Sequence, residues 1–338
     1  MPHYNAPMRI RSSAPTRIDL AGGTLDIWPL YLFHEGARTL NAAITVRAEC
    51  ELSDEGTEGI RVTSEDTGAV LAAASSAALT GEEEPRLAAR LLRYFQVERL
   101  AVVTRSQSPV GAGLAGSSAL NIALCGALAA WQDRRFEPEQ LIALAQDLEV
   151  QVIRVPTGGQ DYRPAVYGGV ASLELGPAGI RRRPLPVAAA ELSARIVLAY
   201  TGDARNSGVN NWEITKRHLD GDRQVFDALG RISEIAGAME QALEQGDWPA
   251  VGRRLSEEWA VRKRLAPNVA TPAIDALVDA GLGAGASGAK VGGAGGGGCI
   301  LLLAEPLRVS AVRAAPAAAG ARILEAAVDE EGLRVQRV

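Results

Sequence analysis

Residues 108–120, SPVGAGLAGSSAL, constrain the fold more tightly than any other stretch, because the helix they open runs on into a second helix. The segment carries G-x-G-x-x-G, the glycine spacing of a dinucleotide-binding turn. Such a unit needs a strand, the three glycines, a helix, and then at once a second parallel strand ending in an acidic residue about 20 residues on. Here Leu120, Ala123, Leu124, Ala127 and Leu128 recur at i, i+3, i+4, i+7 and i+8, which predicts a helix with one stripe toward a core. The next residues, WQDRRFEPEQLIALAQDLEV, make a polar turn and a second helix. Pro138 suits its first turn, and Leu141, Ala145, Leu148 and Val152 mark its buried side, with Glu149 at the edge. Asp133 and Glu137 fall in the turn, the second strand is missing, and the dinucleotide reading fails with it.

Two readings of the loop remain, a phosphate cradle or a plain capped turn. Gly111, Gly113 and Gly116 let backbone approach a phosphate, and the free N–H groups of a helix N-terminus favour anions. Pro109, Ala112, Leu114 and Ala115 complete the loop. A hydroxyl of Ser117 or Ser118 can cap the helix or face a phosphate-bound Mg2+. A Walker A loop needs G-x-x-x-x-G-K-[ST], which neither this stretch nor GASGAKVGG satisfies.

Strands and helices alternate along the rest of the chain. In NAAITVRAECELS, Ile44, Val46, Ala48, Cys50 and Leu52 alternate with Thr45, Arg47, Glu49, Glu51 and Ser53, the period of a half-buried strand. Further strands are expected near Arg9 and from Arg99, Gly169, Ala194 and Gly298. Helices are expected over 225–244 and 248–265, the latter with both charge signs and so surface-lying. Gly, Pro and Arg gather in LGPAGIRRRPLPVAAAELS, which places a domain boundary near residue 187, giving domains 1–187 and 188–338, with Arg181–Arg183 in a solvated loop. The run Gly288 to Gly298 leads out into the apolar Cys299-Ile300-Leu301-Leu302-Leu303, so it is expected to be a tight loop between ordered elements, with Lys290 facing solvent or a nucleotide.

At 338 residues and 47% hydrophobic content the chain is long and apolar enough for a substantial core without disulfides. A net charge of -5 offers no basic surface for nucleic acid. Cys50, Cys125 and Cys299 are odd in number, far apart and set among apolar neighbours, as buried free thiols are. His3, His34 and His218 have no metal-ligand spacing with them. MPHYNAPMRIRSS lacks an apolar signal core and no run spans a bilayer, so a cytoplasmic protein without a membrane partner is expected.

SPVGAGLAGSSAL resembles the P-x-x-x-G-L-x-S-S-A motif of the GHMP kinase superfamily, the small-molecule kinases named for galactose, homoserine, mevalonate and phosphomevalonate. APTRIDLAGGTLDIWPLY and GAKVGGAGGGGCILLL resemble its flanking motifs in the family's order, and LEVQVIRVPTGGQDYRPAVYGGV resembles a segment of its sugar kinases. The resemblance implies an α+β, two-domain kinase fold: an N-terminal domain like domain 2 of ribosomal protein S5, and a ferredoxin-like C-terminal domain. It implies ATP and Mg2+ as cofactors, with Ser117, Ser118 and Glu149 on the metal, Asp161 as catalytic base and Arg17 near the transferring phosphate. AGGTLD resembles the A/G-G-G-T-D pattern of heptose- and fucose-type kinases with Leu25 inserted before Asp26, which makes Gly22, Gly23, Thr24 and Asp26 the acceptor turn. Gly158 and Gly159 shape the turn that carries Asp161, and Arg205 in YTGDARNSG resembles a partner for an acceptor phosphate. The implied partner is a sugar or sugar phosphate, in a monomer or homodimer, phosphorylated at the anomeric hydroxyl. The alternatives are mevalonate- or homoserine-type activity and a catalytically silent sugar sensor.

Overall fold

The computed structural model describes residues 8–203, 207–267 and 269–338, with 207–210 as backbone alone. The first half comprises β1 (Arg9–Ala21), β2 (Arg38–Ser53), β3 (Ile60–Ser64), β4 (Val70–Ala73), α1 (Arg86–Phe95), β5 (Leu100–Ser106), α2 (Gly116–Trp131), α3 (Pro138–Ile153), α4 (Arg163–Tyr167) and the hairpin β6 (Val170–Gly176) and β7 (Gly179–Pro184). The second comprises α5 (Ala189–Ser193), β8 (Ile196–Tyr200), α6 (Ser207–Leu219), α7 (Arg223–Gln245), α8 (Trp248–Arg262), α9 (Pro272–Gly283), β9 (Gly288–Val291), β10 (Cys299–Leu303), α10 (Val309–Ala318), β11 (Arg322–Leu324) and β12 (Arg334–Arg337).

Among the described residues the strands form two sheets. One has eight strands along the path β12-β1-β2-β5-β3-β4, with the β6–β7 hairpin joined to β2. The other is antiparallel, β11-β8-β10-β9. The alternation read in 41–53 belongs to a longer strand, because β2 pairs with β6 over Arg38–Ala42 and with β5 over Ala48–Ser53. Register breaks in β1 at Pro15/Thr16 and Asp19/Ala21 loosen its pairing where the cavity begins. Residue 187 lies between β7 and α5, and the last strand, β12, returns to pair with β1. Ile18, Leu20 and Ile44 of the first sheet share a buried apolar layer with Ile196 and Leu301 of the second and Met239 and Leu255 of the helices. The two halves meet through a continuous core.

Three local expectations are corrected here. Arg181–Arg183 form strand β7 rather than a loop, and Arg183 pairs with Glu174, Glu240 and Glu244, so acidic neighbours from β6 and α7 neutralise the run. Helix α8 is not surface-lying, since Trp248, Leu255, Trp259 and the charged Glu258 and Arg262 are buried in it. Its two charge signs divide between a buried i,i+4 pair, Glu258 with Arg262, and a solvent-facing pair, Arg254 with Glu257. Helix α2 is buried nearly all round because its Ala and Gly residues admit neighbours on every side. Cys50, Cys125 and Cys299 are buried free thiols, as expected. Among the described residues no helix is long and apolar enough to cross a membrane.

Candidate active site

A cavity of about 600 Å3 opens between the two halves, within the range of roughly 300–1,000 Å3 usual for small-molecule sites. The loop between β5 and α2 forms one end. Gly111 and Gly113 take φ of +69° and +74°, and Ala115, at the N-cap of α2, takes +60°. Residues in this region turn successive N–H groups to one side, the geometry of an anion-binding nest. No side chain caps α2, so the serines do not serve as the helix cap. The loop is backed by the third glycine-rich stretch. Cys299 donates its N–H to the Ala112 carbonyl at 2.8 Å, and a Cβ on Gly113 would lie 2.5 Å from the Gly292 carbonyl oxygen. Residues 292–298 therefore form the tight, ordered loop expected from their flanks.

Ser117 and Ser118 part company. Ser117 lines the cavity and its hydroxyl donates to Glu149 Oε1 at 2.7 Å, whereas Ser118 is buried away from it. Glu149 lies one turn past Ala145 on the inner face of α3. Asn121, one turn past Ser117, donates its amide to the Ala145 carbonyl at 2.7 Å and to Glu149 Oε2 at 3.4 Å. Burial pushes the Glu149 carboxyl up, against the hydrogen bonds from Ser117, Tyr162 and Asn121. Among the described residues no basic side chain forms an ion pair with Glu149, and no group of three or more acidic, His or Cys residues is arranged to hold a metal. A buried carboxylate beside one hydroxyl at a phosphate loop fits Mg2+, which takes few protein oxygens and completes its shell with water and phosphate.

Across the cavity, Arg17 joins the phosphate loop to the candidate base. Its backbone N–H donates to the Leu114 carbonyl at 3.0 Å and its Nη1 to the Gly113 carbonyl at 2.7 Å. Nε and Nη2 both donate to Asp161 Oδ1, at 3.0 and 2.6 Å. Burial opposes the charge on Arg17, but Asp161 and Asp19 outweigh it and keep the guanidinium cationic.

Asp26 faces the same space. Gln160 donates its backbone N–H to Oδ2 at 2.9 Å and its side-chain amide to Oδ1 at 3.3 Å. A Cβ on Gly158 would lie 2.0 Å from Oδ2, so only glycine lets the 158–161 turn close over this carboxylate. Burial, with the Asp161 charge adding to it, pushes Asp26 up to about 7 against the Gln160 bond. Rising pH between about 4 and 7 then removes stability, because the folded state holds this proton more tightly than the unfolded chain. Asp26→Asn is expected to raise Tm at about pH 8 and to match wild type near pH 4, a gain of the order of 4 kcal/mol from about 1.4 kcal/mol per pH unit. Thermal melts across this range check it.

The structure thus brings Arg17, Asp161, Asp26, Thr24, Ser117 and the glycine loop to one cavity, with Glu149 bonded to Ser117 just behind. Gly22 and Gly159 pack behind it against the Arg38 carbonyl and Ile180. Arg205 lies outside the described residues. Lys290 faces neither solvent nor nucleotide: it is fully buried, 3.2 Å from both Asp19 and Glu258. Sequence reasoning missed Asn121, Gln160, Asn211 and Tyr162. Asn121 alone had a local signal, a polar residue one helical turn from Ser117 amid small apolar ones.

A cavity that presents backbone N–H groups at one end and carboxylates at the other, on this α+β scaffold, belongs to a small-molecule phosphotransferase. The family models "GHMP kinases N terminal domain" and "GHMP kinases C terminal" match residues 84–169 and 239–322. The chain belongs to the GHMP kinases. It is 28% identical over 309 residues to the D-glycero-alpha-D-manno-heptose 7-phosphate kinase of Campylobacter jejuni, covering 88% of this chain and 90% of that one. It is 29% identical over 355 residues to the mevalonate kinase of Thermococcus sibiricus, covering 98% and 99%. The crystal structure of a D-glycero-D-manno-heptose 1-phosphate kinase from Bacteroides thetaiotaomicron superposes with a TM-score of 0.79 at 23% identity, over 97% of this chain and 99% of that one, a likeness of fold.

Proposed function

We propose that the protein transfers the γ-phosphoryl group of ATP to a hydroxyl of a sugar or sugar phosphate, at the anomeric position. The observation that carries this reading is the character of the acceptor wall. Asp19, Asp26 and Asp161 line it with Gln160, Asn211 and Thr24, and Arg17, already bonded to Asp161, is the cation among the described lining residues. Carboxylates and amides accept and donate to many hydroxyls, which suits a polyol. Any anionic group on the acceptor, the carboxylate of mevalonate or the phosphate of a sugar phosphate, would meet like charge at this wall, so it is the uncharged polyol end that the wall suits. The heptose 7-phosphate kinase relative supports the same class, and Arg205 is the residue proposed to meet an acceptor phosphate.

In this reading the triphosphate rests on the N–H groups of residues 111–117, and Ser117 with Glu149 would hold Mg2+, which supplies charge neutralisation across the phosphates. The acceptor oxygen attacks the γ-phosphorus as the bond to the ADP oxygen breaks. Asp161 takes the hydroxyl proton, while Arg17 faces the charge that spreads over the transferring group. Asp26 accepts neighbouring acceptor hydroxyls, fixing the reacting one against Asp161.

An ADP-release assay over sugars, sugar phosphates, mevalonate and homoserine tests the proposal. Turnover confined to sugars or their phosphates is the expected result. Turnover with mevalonate or homoserine alone would overturn the substrate class, and sugar-dependent nucleotide binding without turnover would identify a silent sensor. For the sugar that is turned over, kcat/KM is expected to rise as pH climbs through about 7 and to lose that inflection in Asp26→Asn, because kcat/KM reports the free enzyme's titration.

A further inference from the structure

Beneath the acceptor turn lies a chain of four buried charges, of which only Asp19 reaches the cavity and none is assigned a step in the phosphoryl transfer. Arg262, the last residue of α8, donates Nε and Nη2 to Glu258 Oε1 at 2.9 and 2.5 Å. The other oxygen of Glu258 lies 3.2 Å from Lys290 Nζ, and Lys290 lies 3.2 Å from Asp19 Oδ2. None of the four is more than 2% exposed. They come from three elements, α8, β9 and β1, and alternate in sign, so each charge has an opposite neighbour. Burial opposes the charge on Asp19, and Lys290, then Arg262 and Arg17, outweigh it and hold the carboxyl below its usual range.

The free end of this chain grips the acceptor turn. Arg262 Nη2 donates to the Gly23 carbonyl at 2.7 Å and Nη1 to Thr24 Oγ1 at 3.1 Å, while the Thr24 hydroxyl donates to Asn211 Oδ1 at 3.3 Å. Thr24 has φ of +75°, a left-handed conformation that a β-branched residue adopts only when its surroundings impose it. Asp26 follows two residues later. Buried ion pairs seldom add stability over well-packed apolar residues, and their best-attested use is to specify one arrangement among several.

We propose that Arg262 is a positioning residue for acceptor recognition: anchored through Glu258 and Lys290 to Asp19, it holds the Gly23–Thr24 peptide in its left-handed form and thereby sets Asp26 against the acceptor. The proposal rests on the reading of residues 22–26 as the acceptor turn, so its test carries one arm that needs no acceptor.

Hydrogen exchange and Mg·AMP-PNP binding are measured on wild type, Arg262→Lys, Arg262→Met and the charge-neutral double variant Glu258→Gln/Arg262→Met. Exchange over residues 22–28 is expected to rise at least about tenfold in the Met variants and less in Arg262→Lys, whose single ammonium cannot match the guanidinium fork. Exchange over 111–118 and the Kd for Mg·AMP-PNP are expected to stay within about threefold of wild type. With the sugar that wild type turns over, acceptor KM is expected to rise about tenfold or more with kcat little changed. Where the Met variants fail to fold, Arg262→Lys decides by the same local exchange. Unchanged exchange at 22–28, or exchange raised equally across the chain with acceptor KM unmoved, overturns the proposal. If no acceptor is found, exchange and nucleotide binding still decide the role of Arg262, and only the substrate reading fails.

Discussion

Asp161→Asn is expected to fold, to bind MgATP as wild type does, and to lose about 100- to 10,000-fold in kcat, the usual contribution of a positioned general base. Asparagine keeps an oxygen for the two Arg17 donors that now converge on Oδ1, so the clamp on the Gly113 carbonyl survives. What it loses is the ability to take the acceptor's proton. The same substitution removes the charge that helps push Asp26 up, so the Asp26 titration is expected to move down from about 7. Single-turnover kinetics with a pH series read both effects. Near-wild-type kcat would remove Asp161 as the base, and an unmoved inflection would separate Asp26 from it electrostatically.

Glu149→Gln is the second large effect. Glutamine can still accept from the Ser117 hydroxyl, which now donates at 2.7 Å, but it brings no charge to a cation. The Mg2+ concentration for half-maximal rate is expected to rise at least tenfold, with kcat/KM for MgATP falling at least about 100-fold, the upper end of what altering a mere hydrogen-bonding partner of a metal ligand costs. Stability moves the other way. Burial raises the Glu149 carboxyl, so ionising it at neutral pH costs the folded state, and the variant's Tm is expected to equal or exceed that of wild type in metal-free buffer. Mg2+ with AMP-PNP then raises Tm in wild type far more than in the variant. Equal Mg2+ response in both proteins would remove Glu149 from the metal site.

Much of the local structure was legible. The 3.6-residue period over Leu120–Leu128 and the first-turn Pro138 place α2 and α3, and their succession by itself rules out a dinucleotide fold. The period-2 pattern over 41–53 places part of β2. Short strands such as β3 and β4 escaped because four or five residues hold too few alternations to stand out. Arg181–Arg183 and α8 were misread for one reason. A charged residue looks wet in a sequence unless its partner is visible, and Glu240 for Arg183 or Lys290 for Glu258 lies tens of residues away.

The family motifs, the loop conformations imposed by glycine and the helix that replaces a second strand are properties of contiguous residues, and the sequence alone determines them. The bond from Ser117, and not Ser118, to Glu149, the closing of Gln160 over Asp26, the clamp of Arg17 on Asp161 and the buried chain from Asp19 to Arg262 were decided only by the tertiary structure. Backbone preference acts over a few residues, whereas the environment of a charge is set by whichever groups folding brings within a few ångströms of it.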